Sequence, residues 1–513
     1  MELELFTHRF AAIAAEMGEM LRRTALSTNV RDRLDFSCAV LDGEGRLVVN
    51  APHIPVHLGA LGLCVRTVRR VLELGPGDAA VTNHPAFGGS HLPDVTVISP
   101  VFAPGDRELL GYVASRAHHA EIGGERPGSM PPAARCLARE GVVIRPTYLV
   151  RGGEARWDQI RRLLSGGPHP SRAVEENLAD LDAALAANRR GARALRELAR
   201  RYGTEVPGRY MKELRRQAAE LAREALAALP DAVYEAREYL DDGTPIQVSF
   251  EIRGDRARID FSGSGPVHPG NLNATPAIVR AAVLYVLRLL LARPLPLNEG
   301  LLDPVELHLP EGILNPAFPA RDDLAPAVVG GNVETSQRLV DTLIKALGLS
   351  ACGQGTMNNV LFGNRRFGYY ETVCGGAGAG PDWDGESAIH THMTNTRITD
   401  PEILEVRYPV RLERFAIRRG SGGGGRRRGG DGAVREITFL EPVSVSLLGQ
   451  HRRERPFGLA GGEPGQPGRQ RLVRAGGEVV ELEGIDQIEA EIGDRLILET
   501  PGGGGWGQPK PPP

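Results

Sequence analysis

Apolar residues near the start of the chain recur at spacings of three and four: Phe6, Phe10, Ile13, Met17 and Leu21. This pattern predicts an amphipathic helix, with Arg22-Arg23 near its end, where the helix dipole favours positive charge. The period then changes. Phe36-Ser37-Cys38-Ala39-Val40-Leu41, the turn Asp42-Gly43-Glu44-Gly45 and Arg46-Leu47-Val48-Val49 read as a hairpin. A helix from Leu58 to Leu74 follows, closed by Gly75-Pro76-Gly77. Residues 79–150 are strand-rich, most clearly at Val95-Thr96-Val97-Ile98 and Tyr112-Val113-Ala114-Ser115.

From Ser171 to Leu229 the chain turns rich in Ala, Leu, Arg and Glu. Leu178, Leu181, Leu185, Leu195 and Leu198 fall at helical intervals, and Gly203 and Pro207 divide the stretch into two long helices. Strands resume from Tyr234 through Phe261, and Thr275 to Leu291 reads as a buried helix. Glycine clusters at 374–380, 420–432, 458–465 and 502–507 punctuate the last third. The expected fold class is α+β, multidomain, with mixed sheets. Residues 1–165 form an N-terminal α+β domain, 166–232 a helical hairpin inserted as an arm, and 233–513 a glycine-rich, β-containing C-terminal region.

Composition narrows the class. A chain of 513 residues is too long for one ordinary core, and 41% hydrophobic with 24% charged residues is globular. A net charge of −3 gives no electrostatic case for nucleic acid or a membrane surface. The five cysteines are scattered, with no C-x-x-C pair, which argues against a disulfide framework or zinc ribbon. The start Met1-Glu2-Leu3-Glu4-Leu5 carries acid where a signal peptide carries base, and no apolar run approaches the roughly 20 residues of a membrane span. The expected location is cytoplasmic.

The histidines change the picture. Six of the 13 (His53, His57, His84, His91, His118 and His119) fall between positions 53 and 119. In Gly88-Gly89-Ser90-His91-Leu92-Pro93-Asp94, the proline suits the first residue of a strand. His91 and Asp94 therefore lie in the turn and at the strand mouth. Arg116-Ala117-His118-His119-Ala120-Glu121 ends the next strand. Side chains alternate across a strand, so one of His118 and His119 is a ligand while the other serves substrate or core. Two imidazoles and a carboxylate make a common three-ligand set for a divalent metal, with open positions for water. Such an ion suits hydrolysis of an unreactive amide. His53 and His57 precede a helix, and His390 and His392 are spaced to share a strand face.

Cys374 to Gly380 lacks the G-x-G-x-x-G spacing of a dinucleotide fingerprint, and G-x-x-x-x-G-K-[ST] is absent throughout. Ser421 to Gly432 reads as a mobile loop in preference to an anion-binding nest.

The chain resembles the hydantoinase B/oxoprolinase family over nearly its whole length. The likeness is carried by Asp35-Phe36-Ser37-Cys38-Ala39, His53-Ile54-Pro55-Val56-His57-Leu58-Gly59, Gly88 to Asp94 and His118 to Gly124. It continues through Gly355-Thr356-Met357-Asn358-Asn359, Tyr370-Glu371-Thr372, Thr391-His392-Met393-Thr394-Asn395-Thr396-Arg397, Glu405 to Pro409, Arg428 to Gly432 and Pro501 to Gly505. Two positions depart from the family pattern. His84 stands in the turn where members carry Asp, and Glu121 stands where Asp follows His-His-Ala.

The resemblance implies the B-type subunit of an ATP-dependent cyclic-amide hydrolase, opening hydantoin or 5-oxoproline rings. A separate A-type partner binds ATP and phosphorylates the substrate, and this chain handles the activated intermediate. His91, Asp94 and His118 correspond to the positions holding a divalent metal (Mn, Zn or Fe). His119 and Glu121 are the candidate proton carriers, and His57, His392 and Asn395 the candidate substrate contacts. Two rivals stand beside this reading: a subunit of an acetone- or acetophenone-type carboxylase, and a non-catalytic scaffold that has lost its ion.

Overall fold

The computed structural model describes residues 2–50, 54–105, 108–291 and 297–509; His53 and the end of the chain from Lys510 lie outside them. The first sheet is antiparallel and seven-stranded: β1 (Phe36–Leu41), β2 (Leu47–Asn50), β3 (Ala79–Thr82), β4 (Asp94–Phe102), β5 (Leu109–His118), β6 (Thr147–Arg151) and β7 (Glu154–Ala155). Their order is β2-β1-β5-β4-β3-β6-β7. The helix Glu2–Thr24 buries Phe6, Phe10, Ile13, Met17 and Leu21, as its spacing predicts. The helix expected to run to Leu74 ends earlier, at Val68; the chain then tightens into i→i+3 turns at Arg70 and Val71 before the glycines.

The two long helices are Val174–Tyr202 and Glu205–Ala227. Pro207 lies in the first turn of the second, where an amide hydrogen has no helical partner to lose, so it does not interrupt the helix. The apolar stripes of both share one core with the N-terminal helix and β1, β4 and β5, so the pair lies on the sheet instead of standing out as an arm. Gly191 allows this closeness: a Cβ there would stand 2.3 Å from Met17 Sδ.

A four-stranded sheet follows, in the order 305–308, 256–260, 245–253, 232–239. Pro245–Arg253 alternates buried and half-buried positions, the mark of a sheet with one covered face. The helices Pro276–Leu290 and Ser336–Ala346 cover it. Two further sheets, of four and five strands, share a third core built around Phe362, Tyr369 and Phe439. The expected α+β class with several separate sheets is what the chain adopts.

The glycine-rich segments form packed backbone, not the mobile loop expected over 421–432. Gly503 N donates to Gly430 O at 2.9 Å, Gly430 N to Ala377 O at 2.9 Å, and Gly376 N to Pro501 O at 3.0 Å. A Cβ at Gly376 would meet Gly430 O at 2.0 Å, and one at Gly503 would meet Ala377 O at 1.9 Å. Three segments can thus lie backbone to backbone only without side chains. Among the described residues, no helix is long and apolar enough to cross a membrane.

Candidate metal centre

The site forms where β1 begins, β4 begins and β5 ends. Asp94 pairs directly with His118 across the β4–β5 ladder. His118 N donates to Asp35 O at 3.0 Å, which sets the residue just before β1 beside them. His91 reaches the same point from the turn ahead of β4. That turn is closely held. Gly88 takes a left-handed φ of +80° and packs against Cys64 backbone, where a Cβ would meet atoms at 2.6 Å. Buried Arg116 donates to Gly88 O at 2.8 Å, and Asn83 Nδ2 donates to Leu92 O and Val142 O at 2.9 Å each.

Asp94 is the hub. Its Oδ1 lies 3.2 Å from His91 Nε2 and 3.6 Å from His118 Nδ1, and its Oδ2 lies 3.3 Å from His57 Nε2 and accepts from Ser90 Oγ. One ligand atom from each of His91, Asp94 and His118 lies within 4.8 Å of the others, and all three residues are buried. Burial opposes the charge on Asp94, but the imidazoles of His91 and His57 hold its carboxyl well below the usual range. Burial also pushes the His118 imidazole toward its neutral form, against the pull of Asp35 and Asp94. His91 Nδ1 and His118 Nε2 are buried with no hydrogen-bond partner among the described residues. The His118 imidazole held toward its neutral form, the ionised Asp94 carboxylate and these buried ring nitrogens are groups that can serve a divalent ion.

Several contributors went unread in the sequence. Asp35 Oδ2 stands 3.9 Å from His118 Nδ1 and brings a second carboxylate. Tyr370 stacks on His118 with ring centroids 4.6 Å apart, and its hydroxyl donates to Asn359 Oδ1 at 2.9 Å. Buried Arg33 lies over the Tyr370 ring at 4.8 Å and donates to Tyr370 O at 2.6 Å. Asn332 Nδ2 lies 3.2 Å from His91 Nε2. It belongs to a π-helical turn, Gly331–Thr335, ahead of Ser336–Ala346; such turns re-aim side chains and recur at functional sites. Glu334, on the same turn, accepts from Asn359 Nδ2 at 2.7 Å and leaves Oε2 without a partner among the described residues, and burial pushes its carboxyl up to about 8.

Other expected residues have different places. His57 joins the cluster through Asp94, with Nδ1 3.1 Å from Ser37 Oγ, so it orients the carboxylate. His119 points to the other side of the strand, its Nδ1 3.1 Å from Asn177 Nδ2. Glu121 accepts from Gly123 N at 2.7 Å, Gly128 N at 2.9 Å and Arg172 Nη1 at 3.1 Å. Both its oxygens organise loops, so neither His119 nor Glu121, the expected proton carriers, bonds to the His91–Asp94–His118 cluster among the described contacts. His84 caps the turn Pro85–Phe87 and faces Asp322. His392 bonds Asp341 at 3.0 Å, away from the cluster, and Asn395 is exposed between buried Thr394 and Thr396.

A family profile described as hydantoinase B/oxoprolinase matches residues 1–509. The chain is 46% identical to 5-oxoprolinase 1 of Arabidopsis thaliana over 99% of its own length, and it spans 42% of the length of that relative. Its structure is similar to that of the ATP-dependent caprolactamase from Pseudomonas jessenii, with a TM-score of 0.89 and 28% identity, covering 99% of this chain and 91% of that one. Acetone carboxylase shares the fold at a TM-score of 0.86 and 17% identity, covering 98% of this chain and 75% of that one. With a profile matching almost every residue and the motif histidines gathered at one sheet end, the chain belongs to the hydantoinase B/oxoprolinase family.

Proposed function

We propose that this chain is the B-type component of an ATP-dependent cyclic-amide hydrolase that opens a five-membered lactam or hydantoin ring. The observation that carries the reading is the buried His91–Asp94–His118 cluster, flanked by Asp35. The identity to a named 5-oxoprolinase supports the substrate class. Nucleotide binding falls to an A-type partner, in keeping with the lack of a phosphate-loop motif here. The likeness to acetone carboxylase extends to the fold alone and does not favour carboxylation.

His91, Asp94, His118 and Asp35 would hold a divalent ion, of the Mn, Zn or Fe kind. When bound, that ion supplies Lewis-acid polarisation of a carbonyl or phosphoryl oxygen and a nucleophile at neutral pH. The rest falls to the protein. His57 and Ser90 fix the Asp94 carboxylate in one rotamer, and Asn332 fixes the His91 ring. Tyr370 covers one face of His118 and keeps water from it. Glu334, neutral at pH 7 and with Oε2 unpartnered among the described residues, is the side chain suited to hold a proton for the departing ring nitrogen.

The test is to purify the chain with its A-type partner and assay ATP-dependent ring opening of 5-oxoproline and hydantoins. Turnover lost in His91→Ala together with one equivalent of metal agrees with the proposal. Unchanged turnover and metal content in that variant, or bicarbonate-dependent consumption of a ketone in its place, overturns it.

A further inference from the structure

A second constellation gathers around the middle of the helix that follows the π turn beside the candidate metal centre. Asp341 stands nine positions beyond Asn332, roughly 13 Å along the helix by its rise. Asp341, Cys352 and His451 each present one ligand atom within 4.8 Å of the others, and all three are buried. They come from three separate stretches: the helix Ser336–Ala346, the segment after it, and the loop following strand Val443–Leu448.

We infer that Asp341, Cys352 and His451 form a second metal site, one for a zinc-class divalent ion with a thiolate ligand. His451 Nδ1 lies 2.5 Å from the Glu454 carbonyl oxygen, so Nδ1 carries the proton and Nε2 keeps its lone pair. That Nε2 stands 3.7 Å from Cys352 Sγ. Bonds of about 2.3 Å to sulfur and 2.0 Å to nitrogen, set at a tetrahedral angle, place those atoms about 3.5 Å apart. Asp341 divides its work between its oxygens. Oδ1 is 3.0 Å from His392 Nε2 and accepts from Gly353 N at 3.4 Å, while Oδ2 is buried with no partner among the described residues.

Room beside these atoms is kept by a glycine. A Cβ on Gly355 would stand 2.3 Å from His451 Nε2 and 3.0 Å from Asp341 Oδ2, and its φ of +59° suits glycine. With an ion bound, the Asp341 carboxylate and the Cys352 sulfur would contribute two negative charges, which a dication neutralises in a buried setting. The thiol proton leaves as the sulfur–metal bond forms, so binding releases one proton. Three protein ligands leave a fourth tetrahedral position for water. The ion would join the central helix to the glycine-rich region, since Cys352 also bonds Phe457 O at 3.0 Å through its amide and Gly504 N at 2.8 Å through its carbonyl.

Cobalt(II) tests this, because only a sulfur ligand gives a thiolate-to-cobalt charge-transfer band in the near ultraviolet, and the His91–Asp94–His118 centre has none. The full chain is produced in cobalt-supplemented medium, so that the ion is present as the protein folds. The band is expected in the natural chain and in His91→Ala, and is lost in Cys352→Ser along with one equivalent of cobalt. His451→Asn, which tolerates the left-handed backbone at that position, is expected to weaken cobalt binding at the sulfur site by about tenfold or more. It serves as the second variant if Cys352→Ser does not fold. A natural chain that folds and shows no such band overturns the inference, as does a band that survives in either variant unchanged.

Discussion

The His118 and Tyr370 rings stack at 4.6 Å with 19° between their planes, which joins the metal-centre sheet to a strand more than 250 residues further along the chain. His118 sits at the end of β5 and Tyr370 on Gly368–Thr372, a strand of the third sheet. The candidate centre therefore takes one of its walls from the C-terminal half, which Arg33 fastens through Tyr370 O, Thr372 Oγ1 and Thr396 Oγ1.

Removing the stacked ring tests the part this wall plays. Tyr370→Ala is expected to destabilise the chain by about 3–5 kcal/mol, the usual cost of deleting a buried aromatic. It should also weaken metal binding about 10–100-fold by freeing the His118 ring. Tyr370→Phe loses only the hydroxyl bond to Asn359, and about 1 kcal/mol. Chemical denaturation and calorimetric metal titration separate the two effects.

The two carboxylates at the centre differ in rank. Asp94 touches His91, His118 and His57, whereas Asp35 reaches, among the described histidines, His118 alone, at 3.9 Å. Asp94→Asn is expected to leave the purified chain without metal at this centre, and Asp35→Asn to retain it at reduced affinity. Elemental analysis after dialysis against graded chelator checks the order.

Stability should fall as pH rises from mildly acidic to about 8. Burial pushes Glu334 and Glu140 each up to about 8 from 4.5. Between those values the folded chain holds protons that the unfolded chain has released. Unfolding free energy therefore declines as pH rises from about 4.5 to 8, by up to about 1.4 kcal/mol per pH unit for each group. Glu140 accepts from Val328 N and Val329 N, so Glu140→Gln keeps one acceptor and removes the titration. Urea melts at several pH values should show a shallower slope in that variant.

Glu371 and Arg435 form a fully buried pair at 2.5 and 2.9 Å. Glu371→Gln leaves a guanidinium without its counter-charge and is expected to cost about 3–5 kcal/mol. Replacing both partners with apolar residues should cost far less. A double-mutant cycle by denaturation measures the difference.

The parts legible in the sequence are those governed by local pattern. The apolar stripe of Glu2–Thr24 and the buried helix Pro276–Leu290 both follow from residue pattern. Alternation separates His118 from His119, and the turn chemistry of Gly88 to Asp94 puts His91 and Asp94 at one strand mouth. Residues brought in by tertiary contact left no such trace. Asp35 becomes a neighbour only through the β1–β5 pairing, Tyr370 and Arg33 through packing of distant segments, and Asn332 through a helical turn with an extra residue. The Ser421–Gly432 stretch misled for a related reason. Glycine clustering signals a loop when read locally, and here it signals three backbones in contact.

The π turn at Gly331–Thr335 has an evolutionary consequence. It holds one more residue than a regular turn, so losing a single codon there would restore an ordinary α-helix. Five residues at the wider winding turn through nearly the same angle as four in a regular helix, so the flanking helix would keep its phase while the side chains inside the turn lost theirs. Asn332 would leave His91, and Glu334 would leave Asn359, while the helix itself became more regular. A lineage could thus silence or retune this centre by deletion, leaving every metal ligand in place.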